Sequence, residues 1–397
     1  MERWKVNLYT VWFSQILSLT SFGFGIPFLP YYIQQMGVND PDTIKFYIGV
    51  LGAAPAVTMA VMSPVWGMVS DRWGKKVMLL RAMFFASIVI AGMGLATRVE
   101  HLLVLRLVQG MFTGTVTASS ALVATNTPGK RLPFALGFMS SSTFIGMSAG
   151  PLLGGFFAEY AGYRISFFIG AALMFLDFFI VLFLVKEEKV PECSMQEEKK
   201  GNPFISILSS RTIISMLIIL FILRISRNVF SPYLPLLVQE VRSEIEGSAR
   251  ITGIINGLVG FMTALSGGVI SFWGERYGKV KVLRILLLLS ILISLPLFLL
   301  NNLWYFSILY SLFFFAMGGI EPILTSVTSL NTPPDRRGTL FGIQGLVGSI
   351  GWSVSPLIGG AVSIGFDTKA VLLVIPIVLL LGVFSLSLFK PVLKESL

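Results

Sequence analysis

The sequence predicts an all-α integral membrane protein of about twelve transmembrane helices, set as two six-helix bundles related by a pseudo-two-fold axis along the membrane normal. Three observations predict it: a succession of long apolar runs, a repeat with a fixed offset, and a one-sided distribution of cations.

Hydrophobic residues make up 54% of the 397, and the mean hydropathy is +0.81. Soluble domains carry a lower apolar share, interrupted by charge. Runs of about 20 apolar residues can each cross a bilayer as a helix. They fall near 7–35, 44–69, 77–96, 101–125, 132–159, 164–186, 211–239, 250–273, 281–300, 303–328, 338–364 and 369–390. The first run is too long, and lacks a small-residue site, for a cleavable signal.

The repeat fixes the plan. Pro27 and Pro30 recur as Pro232 and Pro235, an offset of 205. Asn126-Thr127-Pro128 recurs at that offset as Asn331-Thr332-Pro333, and Pro151-Leu152-Leu153-Gly154-Gly155 as Pro356-Leu357-Ile358-Gly359-Gly360. A chain that reads twice in one register is two copies of one bundle. Both copies hold an even number of spans and share orientation, which places the axis along the membrane normal, and the expected substrate path lies between them.

Charge sets the topology. On this plan, 21 of the 30 Lys and Arg residues lie on the side that holds both termini, 6 lie on the other, and Arg106, Arg224 and Arg227 lie within spans. Cytoplasmic loops carry such an excess, so both termini are expected in the cytoplasm. The net charge of +10 is then a topology signal and not a nucleic-acid footprint. Cys193 is the only cysteine and His101 the only histidine, which excludes an intramolecular disulfide and any cysteine or histidine metal cluster. No metal or cofactor is expected. His101 reads as an interfacial residue at an outer helix end, a proton carrier being the alternative that its titration range allows.

The domain boundaries follow from polarity: an N-terminal bundle over 1–186, a cytoplasmic linker over 187–210 and a C-terminal bundle over 211–397. The linker mixes both charge signs with prolines and lacks apolar periodicity. The remaining connections are short and leave little room for a soluble catalytic domain.

The loop after the second span reads Gly67, then Asp71, Arg72, Trp73, Gly74, Lys75 and Lys76. Glycine permits a tight turn at the surface, the cations hold the loop at the anionic face, and Asp71 can exchange partners among them. A decayed copy, Glu275-Arg276-Tyr277-Gly278-Lys279, sits at an offset of 204. The plain alternative is a charged turn that only fixes topology. The pattern G-x-x-x-D-R-x-G-K-K resembles the signature loop of the major facilitator superfamily, and the resemblance spans the whole chain. It implies the major facilitator fold, and a role in the conformational switch for Gly67, Asp71, Arg72, Gly74 and Lys75.

Two further strings are similar to those of drug:proton exporters in that superfamily. Gly146, Gly150 and Gly154 lie four apart on one helix face, where small residues let another helix approach, and Pro151 bends the helix. Helix packing alone accounts for this face. With Gly155, however, the string resembles the antiporter motif. Arg106, in Arg106-Leu-Val-Gln109-Gly110, is unfavourable in hydrocarbon unless paired or facing water. It matches a motif whose arginine is linked to proton transfer; the alternative is an arginine snorkelling to the outer surface.

The first span departs from many such exporters by having no acid. Asp177 in the sixth span and Glu321 in the tenth are the acids deep enough to be intramembrane. Ionised carboxylates are unfavourable there, so both are candidate proton carriers, Glu321 first because Gly318, Gly319 and Pro322 loosen its helix. Either acid could instead be a static partner of Arg224 or Arg227, which lie three apart on one face. Tyr31, Tyr32, Gln34, Asn228, Tyr233, Asn256 and Gln344, with the two arginines, are polar or amphipathic candidates for a substrate cavity.

The expected function is secondary active transport by alternating access. The resemblance implies proton-coupled export of amphipathic, often cationic, compounds from the bacterial cytoplasmic membrane, by a monomer whose partners are protons, lipid and the substrate. An anionic amphiphile, lipid or organic acid is the alternative cargo that the arginine pair favours. A non-transporting receptor is the alternative of another class. The chain contains no nucleophile elbow and no phosphate-binding G-x-x-x-x-G-K-S/T loop, which argues against an enzyme and against an ATP-driven pump.

Overall fold

In the first copy, helix α1 (Arg3–Gly23) is followed by a 3-10 turn (Ile26–Phe28) and α2 (Leu29–Gln35). The second copy repeats this as α9 (Arg211–Asn228), a turn at Ser231–Tyr233, and α10 (Leu234–Arg242). The paired prolines are the cause. Pro27 and Pro232 lack the N–H that would continue the ladder. Pro30 and Pro235 each occupy the second position of the next helix, where no intrahelical donor is needed. Each expected first span is therefore two helices in line.

The computed structural model describes residues 2–187, 210–332 and 337–389; the expected linker, apart from Glu187 and Ser210, lies outside them. The first copy continues with α3 (Pro41–Trp73), α4 (Lys75–Leu95), α5 (Val99–Phe112), α6 (Thr115–Asn126), α7 (Leu132–Ala161) and α8 (Tyr163–Leu184). The second continues with α11 (Ser248–Tyr277), α12 (Lys279–Ser294), α13 (Leu303–Gly318), α14 (Ile320–Leu330), α15 (Arg337–Gly365) and α16 (Val371–Phe389). No strand occurs among the described residues.

Eleven segments of the described residues are long and apolar enough to span a membrane. α7 is not among them, although it has 30 residues and Glu159 is its one charged side chain. Ser140, Ser141, Ser142 and its glycines dilute its hydropathy, and these small residues are the ones that suit a helix pressed against neighbours. With α7, the spans match the expected twelve.

Two further expected spans are interrupted, the fourth without warning from the apolar pattern and the tenth among Gly318, Gly319 and Pro322, which were expected to loosen it. The fourth breaks between α5 and α6 at Gly114, whose φ of 131° is open to glycine. The tenth breaks between α13 and α14 at Gly319, which stays right-handed at φ −84°.

Two compact units emerge from the packing. One joins Met1–Cys193 with Leu234–Phe261, and the other joins Ser194–Tyr233 with Met262–Leu397. In the first, α1 packs along α7 and α8, α4 along α8, and α3 along α5. In the second, α9 packs on α15 and α16, and α12 on α13 and α16. The stretch 234–261 sides with the first unit because glycine meets glycine there. A Cβ on Gly155 would lie 2.7 Å from the Ala249 carbonyl oxygen, and one on Gly253 would lie 2.5 Å from that of Pro151.

Candidate functional site

The α3–α4 loop is built on one residue. Gly74 has φ 94°, a left-handed value that ends α3 and starts α4 in a single step. A side chain there would also meet the Glu187 carboxylate, which lies 2.7 Å from the Cβ position. That carboxylate accepts the Lys75 N–H at Oε1 (2.7 Å) and the Lys76 N–H at Oε2 (2.9 Å). It thus satisfies two of the orphan donors of a helix start and complements its dipole. Lys76 Nζ donates to the Leu182 carbonyl at 2.8 Å, a second tie between α4 and α8. Arg72 is exposed and nothing among the described residues lies within 4 Å of a Cβ on Gly67; the Asp71 side chain is not among those described. The decayed copy keeps the backbone device, with Gly278 at φ 90°.

The glycine face of α7 lies against α1. Cβ atoms on Gly146, Gly150 and Gly154 would come within 3.0 Å of the Ile16, Thr20 and Gly23 carbonyl oxygens respectively. Pro151 sits inside the continuous helix. The second copy reproduces the arrangement: Gly351 meets Arg224 and Phe221, and Gly359 meets Val229 and Tyr233, all on α9 and its turn. Gly155 points instead to Ala249 and Gly253 of α11, so the Gly-Gly pair serves two neighbours.

Arg106 is 7% exposed. Its Nε donates to the Leu51 carbonyl (2.9 Å) and its Nη1 to Gln109 Oε1 (2.7 Å), both neutral acceptors. Gly110 lets α5 close on Pro55 and Thr58 of α3, which holds the arginine inside the helix pair. The snorkelling alternative does not describe this side chain. Asp177 is fully buried on α8 against the serine face of α1, and accepts from Ser18 Oγ at 2.7 Å. Its other oxygen and Ser14 Oγ have no partner among the described residues.

One constellation gathers opposite charges. Glu321, at the start of α14, receives Arg224 Nη2 at 2.5 Å and faces Arg227 Nη1 at 3.6 Å, both from α9. The side chains are 32%, 36% and 17% exposed respectively. Arg227 also lies over the Phe314 ring, 5.8 Å from its centroid. Three apart on α9, the arginines share the face that α14 approaches, as their spacing predicts. Glu321 stands two residues past the helix interruption at Gly319. Partly exposed charges in a span need water and not hydrocarbon beside them. The repeat positions, Leu19, Phe22 and Val116, are all apolar, so the scaffold does not require this cluster.

The aromatic cavity candidates use their hydroxyls in packing. Tyr31 donates to the Pro235 carbonyl (2.7 Å), Tyr32 to that of Met93 (3.0 Å) and Tyr233 to that of Pro356 (2.8 Å), and all three rings are buried. Gln34 and Gln239, repeat equivalents, exchange amide hydrogen bonds of 2.8 and 2.9 Å. Asn228 donates to the Arg224 carbonyl and Gln344 to Thr328 Oγ1, while Asn256 is half-buried. Sequence reasoning missed Glu187, hidden in a run of charges, and Arg81, whose guanidinium stacks 3.5 Å from the Trp66 ring centroid.

Many apolar spans, prolines repeated between copies and a charged cluster inside a span define a multi-pass membrane transporter, not an enzyme. The family model of the Major Facilitator Superfamily matches residues 11–244 and 216–396. The chain belongs to the Major Facilitator Superfamily. It is 32% identical over 368 residues to the Multidrug resistance protein MdtG of Proteus mirabilis (strain HI4320), covering 93% of this chain and 92% of that protein. It is 31% identical over 395 residues to MdtG of Klebsiella pneumoniae (strain 342), covering 99% and 96%. Its fold is similar to that of a bacterial homologue of the human lysosomal transporter Spinster, with a TM-score of 0.77 at 16% identity, covering 98% and 97% of the two chains.

Proposed function

We propose that this chain exports amphipathic small molecules across the bacterial cytoplasmic membrane in exchange for protons, with both termini in the cytoplasm and Glu321 as the coupling acid. The MdtG names of relatives that match nearly the whole chain support drug export. One geometry carries the coupling: Glu321 shared between Arg224 and Arg227. A carboxylate holds either a proton or a cationic group. Protonated Glu321 gives up its ion pairs, and ionised Glu321 takes back Arg224 or a cationic substrate group in its place. A site that binds proton and cation in turn, never together, is what exchange requires. Arg106, held in place by neutral acceptors, is proposed to take part in proton transfer within its own bundle, with Asp177 as the lesser candidate acid.

The surplus of one positive charge in the cluster favours a second reading. With Glu321 protonated, both guanidiniums face an acidic substrate group, so proton and anion would load together. The two readings differ in sign. Proteoliposomes with an imposed pH gradient, supplied with ethidium and with an anionic dye such as carboxyfluorescein, separate them. Exchange moves ethidium against the proton; co-loading moves the anion with it. Glu321→Gln is expected to abolish gradient-driven flux while substrate binding persists. Undiminished proton-driven flux in that variant would overturn the assignment.

A further inference from the structure

We infer that Glu187, the first residue after the sixth span of the sequence, is a positioning residue for the α3–α4 loop. Its two carboxylate oxygens take the Lys75 and Lys76 N–H groups, one each, at 2.7 and 2.9 Å. A helix of this length leaves its first donors without intrahelical partners, and an anion at that end is favoured by the helix dipole. The N-cap residue supplies no such cap: it is Gly74, which has no side chain. The absence of a side chain is also what admits Glu187, because a Cβ on Gly74 would stand 2.7 Å from its Oε2 and 3.3 Å from its Cδ. Gly74 therefore provides both the left-handed turn and the cradle for the carboxylate.

The acid is itself held from two sides. Asn7 of α1 closes a ring on Lys186, accepting its N–H at 3.1 Å and donating to its carbonyl at 2.8 Å. Val185 is fully buried, and Lys76 Nζ grips the Leu182 carbonyl. The cytoplasmic ends of α1, α4 and α8 are thus one hydrogen-bonded unit, and Glu187 is its link to the loop. The sequence keeps the acid in the first copy alone: the residue 205 positions on is Val392, which lies outside the described residues, and nothing among the described residues comes within 4 Å of a Cβ on Gly278. Loop and linker root consequently keep one register, whatever the linker beyond them does.

The test is amide hydrogen exchange on the full chain in lipid nanodiscs, comparing wild type with Glu187→Ala, Glu187→Gln and Glu187→Asp. Loss of the cap should speed exchange of the first turn of α4 by about tenfold. The acceleration should extend back through the Ser70–Gly74 turn, because the carboxylate positions the loop and not merely two amides. Glu187→Gln keeps one acceptor oxygen and Glu187→Asp keeps the charge on a shorter arm, so each should restore part of the protection. Unchanged exchange would show that the contact does not form; acceleration confined to Lys75 and Lys76 would reduce Glu187 to a local cap. Either result overturns the inference. Should Glu187→Ala not fold, the Gln variant gives the same reading. In the ethidium liposomes, Glu187→Ala should lower the maximal rate about fivefold at an unchanged half-saturating concentration. An unchanged rate where wild type moves ethidium also overturns the inference. If wild type moves none, the export reading fails and the exchange pattern alone decides on Glu187.

Discussion

Glu321 and Asp177 are both acids in spans, yet their surroundings separate them. Glu321 holds two guanidiniums and has a third of its side chain exposed, whereas Asp177 is sealed against serines with no cation paired to it among the described residues. Asp177→Asn keeps the shape and an acceptor for Ser18, so it should cost less than about 1 kcal/mol and leave gradient-driven flux intact. Glu321→Gln leaves two cations without their anion. It should cost about 1–3 kcal/mol, reduced from the buried-pair range by the exposure of the groups, and remove coupling. Thermal unfolding in detergent with flux in liposomes measures both. A reversed pattern would exchange the roles of the two acids. Which acid meets the arginines was not legible in the sequence, because 97 residues separate Arg224 from Glu321 and only the packing of α14 on α9 decides their meeting. The i, i+3 spacing of the arginines, by contrast, was enough to place them on one face.

At the scale of the element, small residues decide which helices touch. Gly150 packs so closely on α1 that an added Cβ would sit 2.9 Å from Gly23 Cα and from the Thr20 carbonyl oxygen. Both obstacles are backbone, so α1 itself would have to move. Gly150→Val should therefore destabilise by about 1–3 kcal/mol, seen as a lowered detergent melting temperature. Gly137, on the same helix, has nothing among the described residues within 4 Å of its Cβ position. Gly137→Ala should be neutral or stabilising by up to about 1 kcal/mol, since glycine is the poorer helix former. Equal effects at the two sites would mean that α1 and α7 do not pack as described. The four-residue spacing made this face legible, whereas the paired prolines showed the repeat without showing that each first span divides after α1 and α9. The break at Gly114 left no apolar signature, because the hydrophobic run continues through it. Glu187 was equally hidden: its partner is 112 residues away, and its neighbours made it one charge among many.

The whole molecule depends on the parity of its spans. Eleven segments qualify by length and hydropathy, and α7 falls short because its serines and glycines serve contact with α1 and α11. If α7 crosses, the count is even and both termini share the side that holds 21 of the 30 cations. If it does not, every segment after it inverts. The positive-inside bias then opposes the topology in the second copy, where Arg276, Lys279, Lys281 and Arg284 would face outward. Reporter fusions distinguish the two. Green fluorescent protein joined after Leu397 should fluoresce, and alkaline phosphatase joined there should be inactive, as the cytoplasm requires. Phosphatase placed between Asn301 and Asn302, ahead of α13, should be active. Inversion of both reporters would show that the glycine-rich α7 does not span the membrane, and would remove the shared orientation on which the two-copy plan rests.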